Sequence, residues 1–298
     1  MGQAYAIADA GRAALIPAVV PRIFNSTRRS AIPGFNLAFG ITVLWLSLIV
    51  LIPLAALFLR AAAGSWSHFL TAAFSERALA AYRVSFGTAF IAAGINVVFG
   101  LLVAFVLVRY RFPGRRLLSA AVDLPFALPT AVAGISLAAI YADTGWIGSL
   151  FAPYGIALAY KPQGIVIALM FIGLPFIVRT VEPVLEDLGR DTEEAAATLG
   201  AGKWRTFFKV VFPEIAPALA TGFALAFARG VGEYGSIIFI AGNQPFESEI
   251  APLLIVTSLE QYDYAGATGI AVVMLLVSMA VLFVINFIQN RERVKRGL

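Results

Sequence analysis

The sequence predicts an all-α membrane protein with six transmembrane helices and both termini cytoplasmic, and three observations predict it. Apolar residues make up 60% of the 298-residue chain and charged residues only 13%, against roughly 25% charged in soluble domains. Six stretches each approach the ~20 apolar residues that a helix needs to cross a bilayer core. Most of the cations gather in alternate connections, all on one side of the membrane. Cysteine is absent, which excludes disulfide frameworks and thiolate metal sites. The single histidine, His68, lies in a polar stretch and is expected to be incidental. A net charge of +5 would suggest nucleic acid in a soluble chain, but in a membrane protein its distribution among loops matters more, and no nucleic-acid partner is expected.

Residues 1–36 carry Arg12, Arg22, Arg28 and Arg29 and two proline breaks, Pro17 and Pro21, around a modest apolar run. The basic cluster follows the apolar run and no small-residue cleavage site precedes a mature domain, so a cytoplasmic arm is expected rather than a cleaved signal. Spans are expected near residues 37–59, 84–108, 117–141, 164–180, 216–241 and 267–289. Residues 37–79 then comprise the first span and an external loop, and 290–298 a basic cytoplasmic tail. In the third span, Pro125 and Pro129 lack amides and free carbonyls, so the helix is expected to bend or open before Thr130. Leu174-Pro-Phe176 predicts a second break, in the fourth span. Asn96, in the second, is another polar candidate within the membrane, although a hydrogen bond between helices is the more common use of such a residue.

Lys and Arg decide the orientation. Of 22 in the chain, seventeen fall in the arm, the second-to-third loop, the fourth-to-fifth segment and the tail. Those four regions are therefore cytoplasmic. The external connection 242–266 carries Glu247, Glu249, Glu260 and Asp263 with no Lys or Arg, and is either a docking surface or an ordinary solvated loop. Arg229 lies within the fifth span, four residues before Glu233, so the two share a helix face and can pair. Charges at that depth normally face a bundle interior or an aqueous path. They are either part of a translocation route, with Arg229 offered to an anion, or a self-neutralising structural pair.

The fourth-to-fifth segment is polar and short. Asp191 can cap a helix while Glu194 reaches back to the cap residue's amide. Gly200 supplies a left-handed stop. Trp204, Phe207, Phe208 and Val211 then recur at helical spacing until Pro213, so a second short helix packs its aromatic side beneath the membrane. No phosphate-binding Gly-rich loop, metal-ligand spacing or triad histidine occurs in the sequence. Energy for transport must come from another subunit or an ion gradient.

Glu194-Ala195-Ala196, three residues, Gly200, nine residues, Val210, one residue and Phe212-Pro213 resembles the cytoplasmic "EAA" signature of ABC-importer permeases. Val210 and Phe212 stand where that pattern has aliphatic Ile and Leu. Further blocks are Ile32-Pro-Gly-Phe35, Arg109-Tyr-Arg-Phe-Pro-Gly-Arg115, Asp123 to Gly134, Pro175 to Val181, and Gly232-Glu-Tyr-Gly235 with Ile238 to Asn243. Together they are similar to the T-type permease subunits of bacterial sulfate/thiosulfate ABC importers, over about residues 33–289.

The resemblance implies a type I ABC importer permease fold across residues 80–289 and a place in the bacterial inner membrane. It makes 191–213 a coupling segment that docks an ATPase through Glu194, Ala195, Ala196, Gly200 and Pro213. It also implies a homologous second permease subunit, two ATPase subunits that hold ATP and Mg, and a periplasmic sulfate-binding protein, with no cofactor or enzyme activity in this chain. From depth and chemistry, Pro125, Pro129, Thr130, Arg229 and Glu233 are expected along the path. Thiosulfate, molybdate and tungstate remain open as cargo. A gradient-driven secondary transporter, drawing on Glu233 and Asp123, or a membrane enzyme or scaffold, are the rivals. Only the ABC reading requires an ATPase to co-purify.

Overall fold

A computed structural model describes residues 35–63 and 66–295; the expected arm lies almost wholly outside them, as do the last three residues of the tail. The chain divides into two units, residues 1–53 and 54–298. In the first, α1 (Phe35–Leu46) runs into a π-helical turn at Ser47–Leu51; α2 (Ile52–Ala63) begins there, and all but its first two residues belong to the second. These residues supply a candidate span, Leu37–Ala62, with mean hydropathy 2.6.

In the second unit, Leu57 and Ala61 of α2 pack with Phe69 of α3 (Trp66–Ala73). Ser75 caps α4 (Glu76–Arg109), its hydroxyl accepting from the Ala78 amide at 3.2 Å, a bond that satisfies one of the helix's orphan donors. This 34-residue helix begins eight residues before the expected apolar run. α5 (Arg115–Ala127) and α6 (Thr130–Tyr141) meet at 113°. They form a bent pair, either one broken span or a re-entrant loop, with the break where the prolines predict it. Leu128, the residue before Pro129, is extended (φ −85°, ψ 136°), because proline's ring disfavours a helical residue ahead of it. Pro125 lies inside α5.

A short turn, α7 (Gly148–Phe151), leads to α8 (Pro162–Asp187). Here the expected break is absent, since α8 passes through both Pro175 and Pro183. Its flanks explain this, because Ile177, Val178 and Val181 are fully buried against α4 and α11 and packing holds the helix across the missing bonds. Next come α9 (Asp191–Thr198), α10 (Lys203–Thr206), a π-helical turn at Phe207–Val211 and α11 (Phe212–Val231). The fifth span is thus Lys203–Val231, displaced from the expected 216–241. Pro213 does not end the second short helix. The π turn, in which the Phe212 amide bonds Phe207 O, lets one helix run past it. Beyond Val231 lie α12 (Ile237–Ile240), α13 (Ala251–Glu260) and α14 (Tyr264–Lys295).

The core is the trio α4, α8 and α11. Without a hydrophobic drive between helices in lipid, close approach must come from small residues. Gly100 and Gly222 leave room on either side of Ile177, and Ala89, Ala92, Ala93 and Ala104 line the α4 face. Asn96 donates to the Met170 carbonyl at 3.0 Å, the expected interhelical bond. No strand occurs among the described residues.

Candidate functional site

The segment 191–213 is built differently at its two ends. Asp191 does not cap α9. Arg190 holds the cap position in a helical conformation (φ −104°, ψ −14°) and no side chain bonds there. The turn out of α8 through left-handed Gly189 (φ 63°) starts the helix one residue early. Asp191, Glu193 and Glu194 all fall in the first turn, where carboxylates meet the positive end of the helix dipole. At the other end, Gly200 adopts φ 80°. Its amide bonds Ala197 O at 2.9 Å and the Ala201 amide bonds Ala196 O at 3.0 Å, the paired closure of a left-handed glycine stop.

One face of α9 is tied to the bundle. The Arg109 side chain, 8% exposed at the end of α4, pairs with Glu193 at 2.8 Å, and Arg190 donates to the Arg109 carbonyl. Between them lies a cleft of about 710 Å³ whose lining includes Phe105, Tyr110, Glu194, Ala197, Trp204 and Phe207. The opposite face is open: Ala195 is exposed and Leu199 is 88% exposed. The aromatic side divides as well. Phe207 packs edge-on to Phe105 at 6.2 Å, while Trp204 and Phe208 stack on each other at 6.0 Å and remain exposed. Sequence reasoning passed over Arg109, Arg190 and Glu193. For the last two the signal was present, since 190, 193 and 197 recur along one helical face.

A second cluster forms where two chain breaks meet in the bundle. Past the end of α11, Glu233 is 2% exposed and splits its oxygens. Oε2 pairs with Arg229 at 2.6 Å, and Oε1 accepts from the Ser236 amide at 2.9 Å and hydroxyl at 3.1 Å. The expected pair therefore exists, although Glu233 lies just beyond the helix. Gly235 abuts the Thr130 hydroxyl, and Gly134 of α6 abuts the Ser236 backbone. A side chain at either glycine would collide there. Thr130 is thus brought against Gly235 in the turn that follows the Arg229–Glu233 pair, with Pro129 just before it at the bend and Pro125 on the other arm. Sequence reasoning missed Ser236.

Two further ion-pair systems depart from expectation. Arg179, counted as a loop cation, belongs to α8 and bonds Asp123 (2.8 and 2.5 Å), Glu182 (2.5 Å) and the Ser119 carbonyl and hydroxyl (2.9 and 3.0 Å). In the acidic connection, Glu249 accepts two bonds from Arg77 at 2.8 and 2.6 Å, Glu247 accepts from Lys161 at 2.6 Å, and Asp263 lies 3.9 Å from His68. Two of the four carboxylates that suggested a docking surface, Glu247 and Glu249, are therefore spent within the chain.

Residues 96–291 match the family described as "Binding-protein-dependent transport system inner membrane component". The chain is 48% identical to the probable sulfate transport system permease protein cysT of Nephroselmis olivacea, over 92% of this chain and 98% of that one. It is also 48% identical to the sulfate transport system permease protein CysT of Escherichia coli K12, covering 90% and 97%. The Synechococcus elongatus protein of the same name is 51% identical, covering 84% and 90%. Among solved structures, a bacterial alginate ABC transporter in complex with an alginate-bound periplasmic protein superposes with TM-score 0.70 at 17% identity, covering 86% and 93%. The MetNI methionine ABC transporter gives 0.50 at 22%, covering 71% and 92%.

Proposed function

The chain belongs to the inner-membrane components of binding-protein-dependent transport systems, and from that premise we propose that it is the multi-pass permease subunit of an ATP-driven sulfate importer. The observation that carries the cargo is likeness over about nine-tenths of the chain to sulfate permeases. In this reading the chain has no ATPase site of its own; ATP and Mg are held by two partner ATPase subunits. A homologous second permease completes the pore, and a periplasmic sulfate-binding protein delivers the anion.

Both chain ends and segment 191–213 face the cytoplasm. Ala195 presents the open side of α9 to the ATPase, Glu194 docks from the rim of the cleft, Ala196 and Gly200 complete the docking helix and its stop, and Pro213 lies in the helix that follows. The arrangement supports this division because one face of α9 is tied to α4 while the other, with Ala195 and Leu199, is free of the bundle. Nucleotide-driven closure of the ATPases would move the permeases as rigid bodies about their interface. Pro125, Pro129, Thr130, Arg229 and Glu233 lie on the path, where two broken segments bring backbone and charge to an aqueous route.

The test is reconstitution of the chain with its ATPase, second permease and binding protein, measuring ATP-dependent uptake of labelled sulfate, thiosulfate, molybdate and tungstate. Sulfate uptake is expected. Failure to co-purify an ATPase, or uptake of molybdate alone, overturns the reading.

A further inference from the structure

The geometry points to Glu233 as the positioning residue that sets how tightly Arg229 holds the transported anion, an inference that rests on the reading of the chain as a sulfate permease. The two partners differ sharply in exposure, with the Arg229 side chain 39% exposed and that of Glu233 2%. Glu233 is therefore the fixed member. Its Oε1 is anchored by the amide and hydroxyl of Ser236, a residue that is itself fully buried. The Ser236 backbone sits against Gly134 of α6, where no side chain fits. The carboxylate thus cannot follow the guanidinium. Only Oε2 faces Arg229, at 2.6 Å from Nη1, so this pairing engages one nitrogen of a fork that carries five N–H donors. No other side-chain partner of Arg229 occurs among the described residues.

Such a pair has a specific use for a doubly charged cargo. A lone arginine within the membrane would attract a dianion strongly, and a path that binds tightly does not release. A buried carboxylate 2.6 Å away offsets that attraction while leaving the donors in place to replace lost hydration. Glu233 thereby trades affinity for passage. A purely structural pair would make the opposite prediction, since loss of either member would weaken every property of the site together.

The experiment uses the assembled complex of permeases and ATPases, with Glu233→Gln as the variant. Its amide oxygen can still accept from Ser236 while the charge is gone. Retention of labelled sulfate by the complex without binding protein is expected to tighten roughly tenfold, while the maximal uptake rate with binding protein falls by a similar factor. Glu233→Asp keeps the charge with a shorter reach; it should assemble if the first variant does not, and should tighten retention by about threefold. Unchanged or weaker retention in whichever variant assembles, or loss of assembly in both, overturns the inference. If the wild-type complex imports no sulfate, the proposed function fails. If it imports sulfate and neither variant tightens, only the role of Glu233 fails.

Discussion

Segments 191–213 and 242–266 look alike as sequence and are opposite as structure. Each connects two longer apolar helices and each carries a group of carboxylates. In 242–266, Glu249 is clamped by Arg77, Glu247 by Lys161, and Asp263 lies near His68 and also accepts from the Gly266 amide at 2.8 Å. In 191–213 only Glu193 is drawn inward, to Arg109. Asp191 and Glu194 stand exposed in the first turn of α9, with no side-chain partner among the described residues. A carboxylate's value as a docking group depends on whether the chain has already neutralised it. Segment 242–266 is latched onto its own bundle, and segment 191–213 keeps charge in reserve for another molecule.

The largest expected effect lies on the unspent side. Glu194→Arg should reduce ATP-dependent sulfate uptake by roughly a hundredfold or more, because a reversed charge on a docking face costs several kcal/mol. Membrane insertion, followed by detergent extraction and gel filtration, should not change. Normal uptake in that variant would erase the contrast between the segments. Arg109→Ala frees the tied face of α9 and leaves the docking face intact. Sulfate imported per ATP hydrolysed should fall about fivefold, equivalent to ~1 kcal/mol of lost coupling. An unchanged ratio would mean that the tie to α4 carries no motion.

On the latched side, Arg77→Ala leaves the Glu249 carboxylate buried and alone. Unfolding in detergent should show a loss of about 3 kcal/mol, at the low end for an orphaned buried charge because Arg77 is itself partly exposed. Lys161→Ala is the smallest change. Both partners there are exposed, so the loss should stay below about 1 kcal/mol and shrink further in high salt. If Lys161→Ala cost as much as Arg77→Ala, the division between a buried clamp and a surface pair would be wrong.

Much of this architecture was legible in the sequence. The spans follow from apolar length, the bend at Pro129 from proline's missing amide, and the left-handed turn at Gly200 from the residue type. The Arg229–Glu233 pair and the Asn96 bond follow from the cost of polar groups in lipid. What escaped depends on contacts between distant parts of the chain. Arg77 and Glu249 are 172 residues apart, and nothing local announces their meeting. Asp191 has the right chemistry for a cap, but Gly189 and Arg190 had already begun the turn. Pro175 and Pro213 should break helices by local rules. Buried neighbours hold α8 straight through the first, and a π turn absorbs the second.

One helix belongs to both of the contrasted regions. Arg77 is near the first residue of α4 and Arg109 is its last, so the clamp on Glu249 and the tie to Glu193 sit at opposite ends of one rod. At 1.5 Å per residue such a rod is about 50 Å long, and a tilt of ~5° about one end sweeps the other through roughly 4 Å. The contacts at Glu249 are 2.6 and 2.8 Å, too short to stretch that far. A tilt of α4 about its Arg109 end therefore leaves two outcomes at the other: the turn at Glu249, which is also bonded to Ser85 of α4 through the Ala251 amide at 2.8 Å, travels with the helix, or this specific pair of hydrogen bonds breaks.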